Sequence, residues 1–258
     1  MSKRASVVVA QISICVLVVM SLFICSCKKS SPESGEAKGQ SGVGCAKTCP
    51  AAASLECGSS ELVAIETELP NPMFVGTPQN IRVPNLEKPL GHARPPFLAP
   101  VGTKNVAAGK TVASSDEEPI IGEIEMVTDG DKEAADGSYV ELGPFLQHVT
   151  IDLGARYNIY AILMWHFHKQ ARVYYDVVVQ VADDADFITN VRTVFNNDHD
   201  NSLGLGIGSD MHYVETSEGK LIDAKGVEGR YVRLYSNGNT SNELNHYIEV
   251  EVFGKPIQ

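Results

Sequence analysis

An all-β fold, a β-sandwich, is what the sequence predicts for residues 105–258, and three observations predict it. Short runs alternate apolar and polar residues with the period of a strand that buries one face, as in Arg230-Tyr231-Val232-Arg233-Leu234-Tyr235 and Tyr247-Ile248-Glu249-Val250-Glu251-Val252-Phe253. Turn-forming stretches separate such runs: Asp129-Gly130-Asp131, Asp152-Leu153-Gly154, Gly204 to Gly208 and Asn237-Gly238-Asn239. No long segment keeps an apolar repeat of 3.6 residues, so the core is not helical.

Taken in order, the chain opens with an export signal over residues 1–27. Lys3 and Arg4 form a basic start, Ala5 to Ile24 is almost continuously apolar, and the run stops at Ser26-Cys27-Lys28-Lys29. Ile24-Cys25-Ser26-Cys27 resembles a bacterial lipobox, in which the final cysteine, Cys27, is lipidated and becomes the mature N-terminus. An uncleaved membrane anchor and simple secretion are the other readings. All three place the remainder outside the cytoplasm, on the cell envelope if the lipid is attached.

Residues 28–68, rich in Ser, Gly, Ala, Lys and Glu without periodicity, read as a disordered tether. Cys45 and Cys49 can close a small disulfide loop there, leaving Cys57 unpaired, whereas a metal site at these cysteines lacks a fourth ligand. Residues 69–104 carry eight of the thirteen prolines and read as an extended strap, since proline fixes its own φ and restricts the residue before it. Met73-Phe74-Val75, Ile81-Arg82-Val83 and Pro96-Phe97-Leu98 give this strap apolar groups that a free linker does not need, so part of it is expected against the domain.

Eight strands are expected in the domain itself: 107–112, 147–153, 157–165, 174–181, 192–195, 213–216, 230–236 and 247–253. In the fourth, Val177, Val179 and Val181 share one face. With 43% hydrophobic and 21% charged residues the composition suffices for a packed core. The formal net charge of −11 and the lack of a Lys/Arg run after Lys29 argue against nucleic acid and against an anionic membrane surface. Any membrane association is therefore expected through the lipid anchor alone.

Several pieces in the right order resemble the coagulation-factor type C, or discoidin, domain. They are Asn105-Val106-Ala107-Ala108-Gly109-Lys110, Thr128-Asp129-Gly130-Asp131, Val149-Thr150-Ile151-Asp152-Leu153-Gly154, Ala182-Asp183-Asp184-Ala185-Asp186-Phe187 and the two closing strands. The resemblance spans about Asn105 to Lys255 and implies an eight-stranded, galactose-binding-like jelly roll. It also implies a binding module for a glycan or polysaccharide, with protein–protein interaction or adhesion on the envelope as the alternative. A structural calcium ion is implied too: Asp129 and Glu249 would supply carboxylates, Met126 and Asp131 main-chain oxygens. Ala134 departs from the pattern, standing where a Ser or Thr ligand is expected. The alternative is a plain Asp-Gly turn; a carboxylate at Glu249, otherwise unexplained in a closing strand, favours the ion.

For the ligand, Trp165, His166, His168 and Arg172 form the leading candidate group. Saccharides present apolar C–H faces that stack on aromatic rings and hydroxyls that need directional partners. Asn196, His199, Asn237, Asn239 and His246 occupy other loops that can converge on the same place. Trp165 can equally belong to the core, with the histidines satisfying local carbonyls. His166 and His168, two apart on a strand, can also hold zinc or copper, but no third ligand is evident. The oxygen-rich run Asn196 to Asn201 resembles a calcium loop without the bidentate Glu of an EF-hand. No activated nucleophile or acid–base pair stands out: Asp198-His199 and Asp183-Asp184 are adjacent residues whose side chains diverge, so no enzyme is expected.

Overall fold

The structure is a computed structural model and describes residues 61–74 and 81–257. The export signal, Cys27 and the cysteines Cys45, Cys49 and Cys57 lie outside the described residues. The described part is an all-β sandwich, with one short 3-10 turn at Ile124–Thr128. Its strands are β1 (Leu62–Ala64), β2 (Leu98–Pro100), β3 (Lys104–Asn105), β4 (Thr111–Ser114), β5 (Val140–Pro144), β6 (Leu146–Trp165), β7 (Val178–Ala182), β8 (Arg192–Asn196), β9 (Lys220–Asn237), β10 (Leu244–Tyr247) and β11 (Glu249–Pro256). β1 and β2 form a separate pair, and the other nine strands, among them the two-residue β3, build the sandwich, against the eight the resemblance implies.

Two long strands organise it. The first half of β6 pairs antiparallel with β4 on one side and with Tyr231–Asn237 of β9 on the other, and β7 and β8 extend that sheet. The second half of β6 pairs with β11 and with the first half of β9, with β3 beyond β11. The register breaks between the halves, at Asp152/Tyr157 and at Ile159/Ala161. These breaks absorb extra residues as bulges, which bend a strand and raise its twist. Gly226, at φ +74 in the β9 bulge, lies against the Tyr160 ring, where an added Cβ would come within 3.2 Å.

Side chains from both halves meet in one core: Val149, Ile151, Val179, Val232 and Leu234 face Ile162, Met164, Val250 and Val252, with Leu142 and Tyr247 from β5 and β10. Fully burying each such aliphatic side chain stabilises the fold by roughly 1.5–3 kcal/mol.

Alternation along β6 and β11 leaves a second apolar set on the outer face, comprising Ala161, Leu163, Trp165 and Phe253 with Ile248. The proline-rich segment covers it together with the end of the expected disordered tether, where Leu62–Ala64 instead form β1 against β2. Ile65 and Phe97 pack on this set, and the Ile65 N–H donates to the Phe97 carbonyl at 2.9 Å. Arg94 donates through Nη1 to the carbonyls of Glu218 and Gly219, both at 2.9 Å, and Glu87 pairs with Lys220 at 2.7 Å.

Several strand expectations change. Residues 147–153 and 157–165 form one strand, because Leu153 to Arg156 is a bulge and not a turn. The expected 107–112 strand begins only at Thr111, since Gly109 turns the chain at φ +62. Residues 174–177 precede β7 as a loop, because Asp176 takes φ +50. Tyr213 is buried, yet 213–216 form no strand; only His212 bridges, to Leu86. Strand β5, missed in the sequence, ends in Gly143-Pro144, a pair that reads as a turn.

Candidate functional site

At one end of the sandwich, where β5 hands over to β6 and β9 to β10, an open hollow of about 440 Å³ is lined by Phe145, Tyr175, Asn237 and the turn Gly238 to Glu243. The turn is built by its own amides. Asn239 accepts from Ser241 N–H at 2.8 Å and donates through Nδ2 to Asn242 Oδ1 and to the Leu244 carbonyl. The neighbouring 173–177 loop is stitched to it, with Thr240 N–H donating to the Val173 carbonyl at 2.9 Å and Tyr175 N–H to that of Gly238 at 3.1 Å.

Phe145 stands at the rim. Its φ is +66, a left-handed conformation that costs an L-residue roughly 1–2 kcal/mol, yet its side chain is 67% exposed. The fully buried Asn245 holds it there: Nδ2 donates to the Phe145 carbonyl at 2.7 Å and to that of Gly143 at 3.0 Å. The Asn245 Oδ1 accepts from Gly238 N–H and from the Ser236 hydroxyl. Strained backbone thus presents an aromatic face to solvent beside amide and hydroxyl groups. That arrangement suits a ligand with one apolar face and several hydroxyls.

The residues singled out from the sequence divide into separate places. Asn237 and Asn239 line the hollow. Trp165 is wholly interior and is no stacking platform: its Nε1–H donates to the Ser217 carbonyl at 3.0 Å, and Gly219 packs so closely that an added Cβ would lie 2.7 Å from the ring. His168 is interior too, contacting the Lys132 carbonyl at 2.9 Å. His166 is buried against Glu215 at 2.6 Å and stacked on Tyr174 at 4.3 Å between ring centroids. Each histidine keeps a second ring nitrogen buried without a partner, His166 Nε2 and His168 Nδ1. Among the described residues neither belongs to a group of three metal-ligating side chains, so a shared zinc or copper ion still lacks a third ligand.

Arg172 and His246 do come together, but neither lines the hollow. The Arg172 guanidinium lies 4.5 Å over the Phe167 ring, and His246 Nε2 sits 2.9 Å from Glu141 Oε2 while its Nδ1 faces the Tyr174 hydroxyl at 3.0 Å. Burial, aided by the Arg172 charge, pushes the His246 imidazole down to about 3, so the ring is neutral. Asn196 belongs to a second hollow of about 280 Å³ formed with residues 193–195 and 205–210. His199 packs edge-on against His212 at 5.2 Å. The oxygens of the 196–201 loop are largely satisfied internally, as where Asp198 accepts from the N–H groups of Ser202 and Leu203.

For the calcium expectation, Glu249 is the informative residue. It is fully buried; Oε2 accepts from Gly130 N–H at 3.1 Å, while Oε1 has no partner. Burial pushes its carboxyl up to about 8. A buried carboxylate oxygen without a donor, beside the Asp129–Asp131 turn, fits a hard cation. Asp129 Oδ1 accepts from Asp131 N–H at 2.8 Å, and the Met126 carbonyl faces Asp129 N–H at 3.5 Å. Ala134 is buried and offers no side-chain oxygen, and the nearby Lys132 ammonium is committed to Glu251 at 2.8 Å.

Sequence reasoning missed Phe145, Tyr175 and the run Thr240 to Glu243. The signal for Phe145 was present in Gly143-Pro144-Phe145-Leu146, where two large apolar residues follow a turn pair.

No family model matches the chain, and no curated protein matches it. Among solved structures it is similar to a family 89 glycoside hydrolase from Clostridium perfringens, with TM-score 0.43 and 21% identity over 58% of this chain and 14% of that one. It is similar to a Streptococcus pneumoniae fucose binding module, with TM-score 0.42 and 18% identity over 59% and 98% of the two chains. The CBM32 of AlyQ, in complex with 4,5-unsaturated mannuronic acid, matches with TM-score 0.41 and 17% identity over 55% and 93%. The chain thus spans a small fraction of the hydrolase and nearly the whole of the two modules.

Proposed function

We propose that this protein is a non-catalytic saccharide-binding module, and that the hollow beside Phe145 receives the sugar. The single observation that carries the reading is the Phe145 ring, held outward from a strained backbone next to amide and hydroxyl groups. A sugar's C–H face stacks on that ring while its hydroxyls meet Asn237, Thr240 and Ser241. The discoidin-like motifs in the sequence support the same class. The test is Phe145→Gly: saccharide binding on a glycan array is lost, while the urea midpoint stays level or rises, since glycine accepts φ +66 without strain. Undiminished binding by Phe145→Gly removes the hollow as the site. Capture of one stable protein partner, without competition by any sugar, favours instead an adhesion module of the envelope.

The module is carried, in this reading, on an exported chain lipidated at Cys27, facing away from the cytoplasm. A structural calcium ion held by Asp129, Glu249 and the carbonyls of Met126 and Asp131 belongs to the same proposal. When bound, it would neutralise the buried Glu249 carboxylate. EDTA is then expected to lower the melting temperature of the native chain and to leave Glu249→Gln unmoved; a melt indifferent to EDTA removes calcium.

A further inference from the structure

Resting on the saccharide reading of the same hollow, we propose that its preferred ligand is an amino sugar bearing a free, protonated amine. The wall contains no Lys, Arg or His. It does contain Glu243, whose exposed carboxylate has no hydrogen-bond or ion-pair partner among the described residues, although its backbone is fixed by Phe145 N–H donating to its carbonyl at 3.2 Å.

The internal bonds of the wall decide what it can still offer. Asn237 donates through Nδ2 to Asp176 at 2.9 Å, which leaves Oδ1 as an acceptor. Asn239 uses both Oδ1 and Nδ2 within the turn and serves the loop's shape. Thr240, Ser241 and Asn242 Nδ2 keep donors free, and the acceptors left are Glu243 and Asn237 Oδ1, at a wall whose one charge is negative. An ammonium group has three donors and no acceptor, so it complements these oxygens; an acetamide brings one N–H and a carbonyl, and a uronate brings only acceptors and a repelled charge.

The surroundings act in the same direction. Behind Asn237, Asp176 lies with Asp198 and Asp200, one carboxylate oxygen of each within 4.8 Å of the others. The chain as a whole carries a formal net charge of −11. Such a field raises the local concentration of cations at the hollow and falls off with salt.

The experiment is a titration of the full exported chain, followed by NMR or calorimetry at mildly acidic pH, where the sugar amine is protonated. The probes are tetramers of glucosamine and of galactosamine, each against its fully N-acetylated counterpart, and a tetramer of uronic acid. At least one amine form is expected to bind about fivefold more tightly than its acetylated partner, as for a solvent-accessible ion pair, with the uronate weakest. Glu243→Gln and high salt are each expected to bring the ratio close to one. Equal affinities for amine and acetamide forms, or a preference that survives Glu243→Gln, overturns the amine assignment and leaves saccharide binding standing. Failure of every oligomer to bind also overturns the amine assignment, and the glycan array then decides the saccharide reading by itself.

Discussion

Asn245 shows how one interior amide can govern an exposed surface. Its two donors and one oxygen tie the end of β5, the β9–β10 turn and Ser236 together, and the whole side chain is buried. Replacing it by alanine strands buried carbonyls and an N–H group without partners, each costing about 1–3 kcal/mol. Asn245→Ala is expected to lower stability by about 2–4 kcal/mol in urea unfolding and to weaken saccharide binding with it, because Phe145 loses its anchor. Legibility at this scale was uneven. Asn237 and Asn239 were readable because Asn-Gly-Asn encodes a tight turn locally. Phe145 was readable only as a large apolar residue after a turn pair; its exposure depends on an amide 100 residues away.

Among the elements, the run Arg230 to Leu234 was legible because its alternation meets one buried face, with Val232 and Leu234 inside and Tyr231 and Arg233 half-buried. The second half of β6 deceived for the opposite reason: it is buried on both faces, and the outer one is hidden by Ile65 and Phe97 together with Tyr139 and Leu221. Trp165 therefore read as a ligand platform when it is the centre of a second, smaller core. Trp165→Ala is expected to destabilise by about 3–5 kcal/mol while the remaining folded protein keeps its saccharide affinity, measured by titration well below the new melting temperature. A loss of affinity without a loss of stability reverses that assignment. The fit at this place is tight: Gly219 takes φ +63 and could not carry a Cβ without displacing the indole.

For the molecule as a whole, acid is the informative stress. Burial, with a smaller contribution from Arg233, pushes the His148 imidazole down to about 4, against about 6.5 in an unfolded chain. Between those values the unfolded state takes up a proton that the folded state refuses, so His148, like His246, lowers stability as pH drops from about 6.5 toward about 4. Glu249 contributes in the opposite sense, since its raised carboxyl gains its proton first in the folded state. His148→Gln is expected to remove its share of that fall from the stability–pH curve, as followed by thermal melts across the range; an unchanged slope rules the His148 contribution out. The other consequence lies in β6 and β9, each a single run of backbone that serves first one layer and then the other. Neither sheet can peel off alone, because the same two ribbons carry the ladder of both. Amides throughout that pair should exchange with deuterium only when the entire domain opens, so a ligand seated on the rim is held by a scaffold that melts as one.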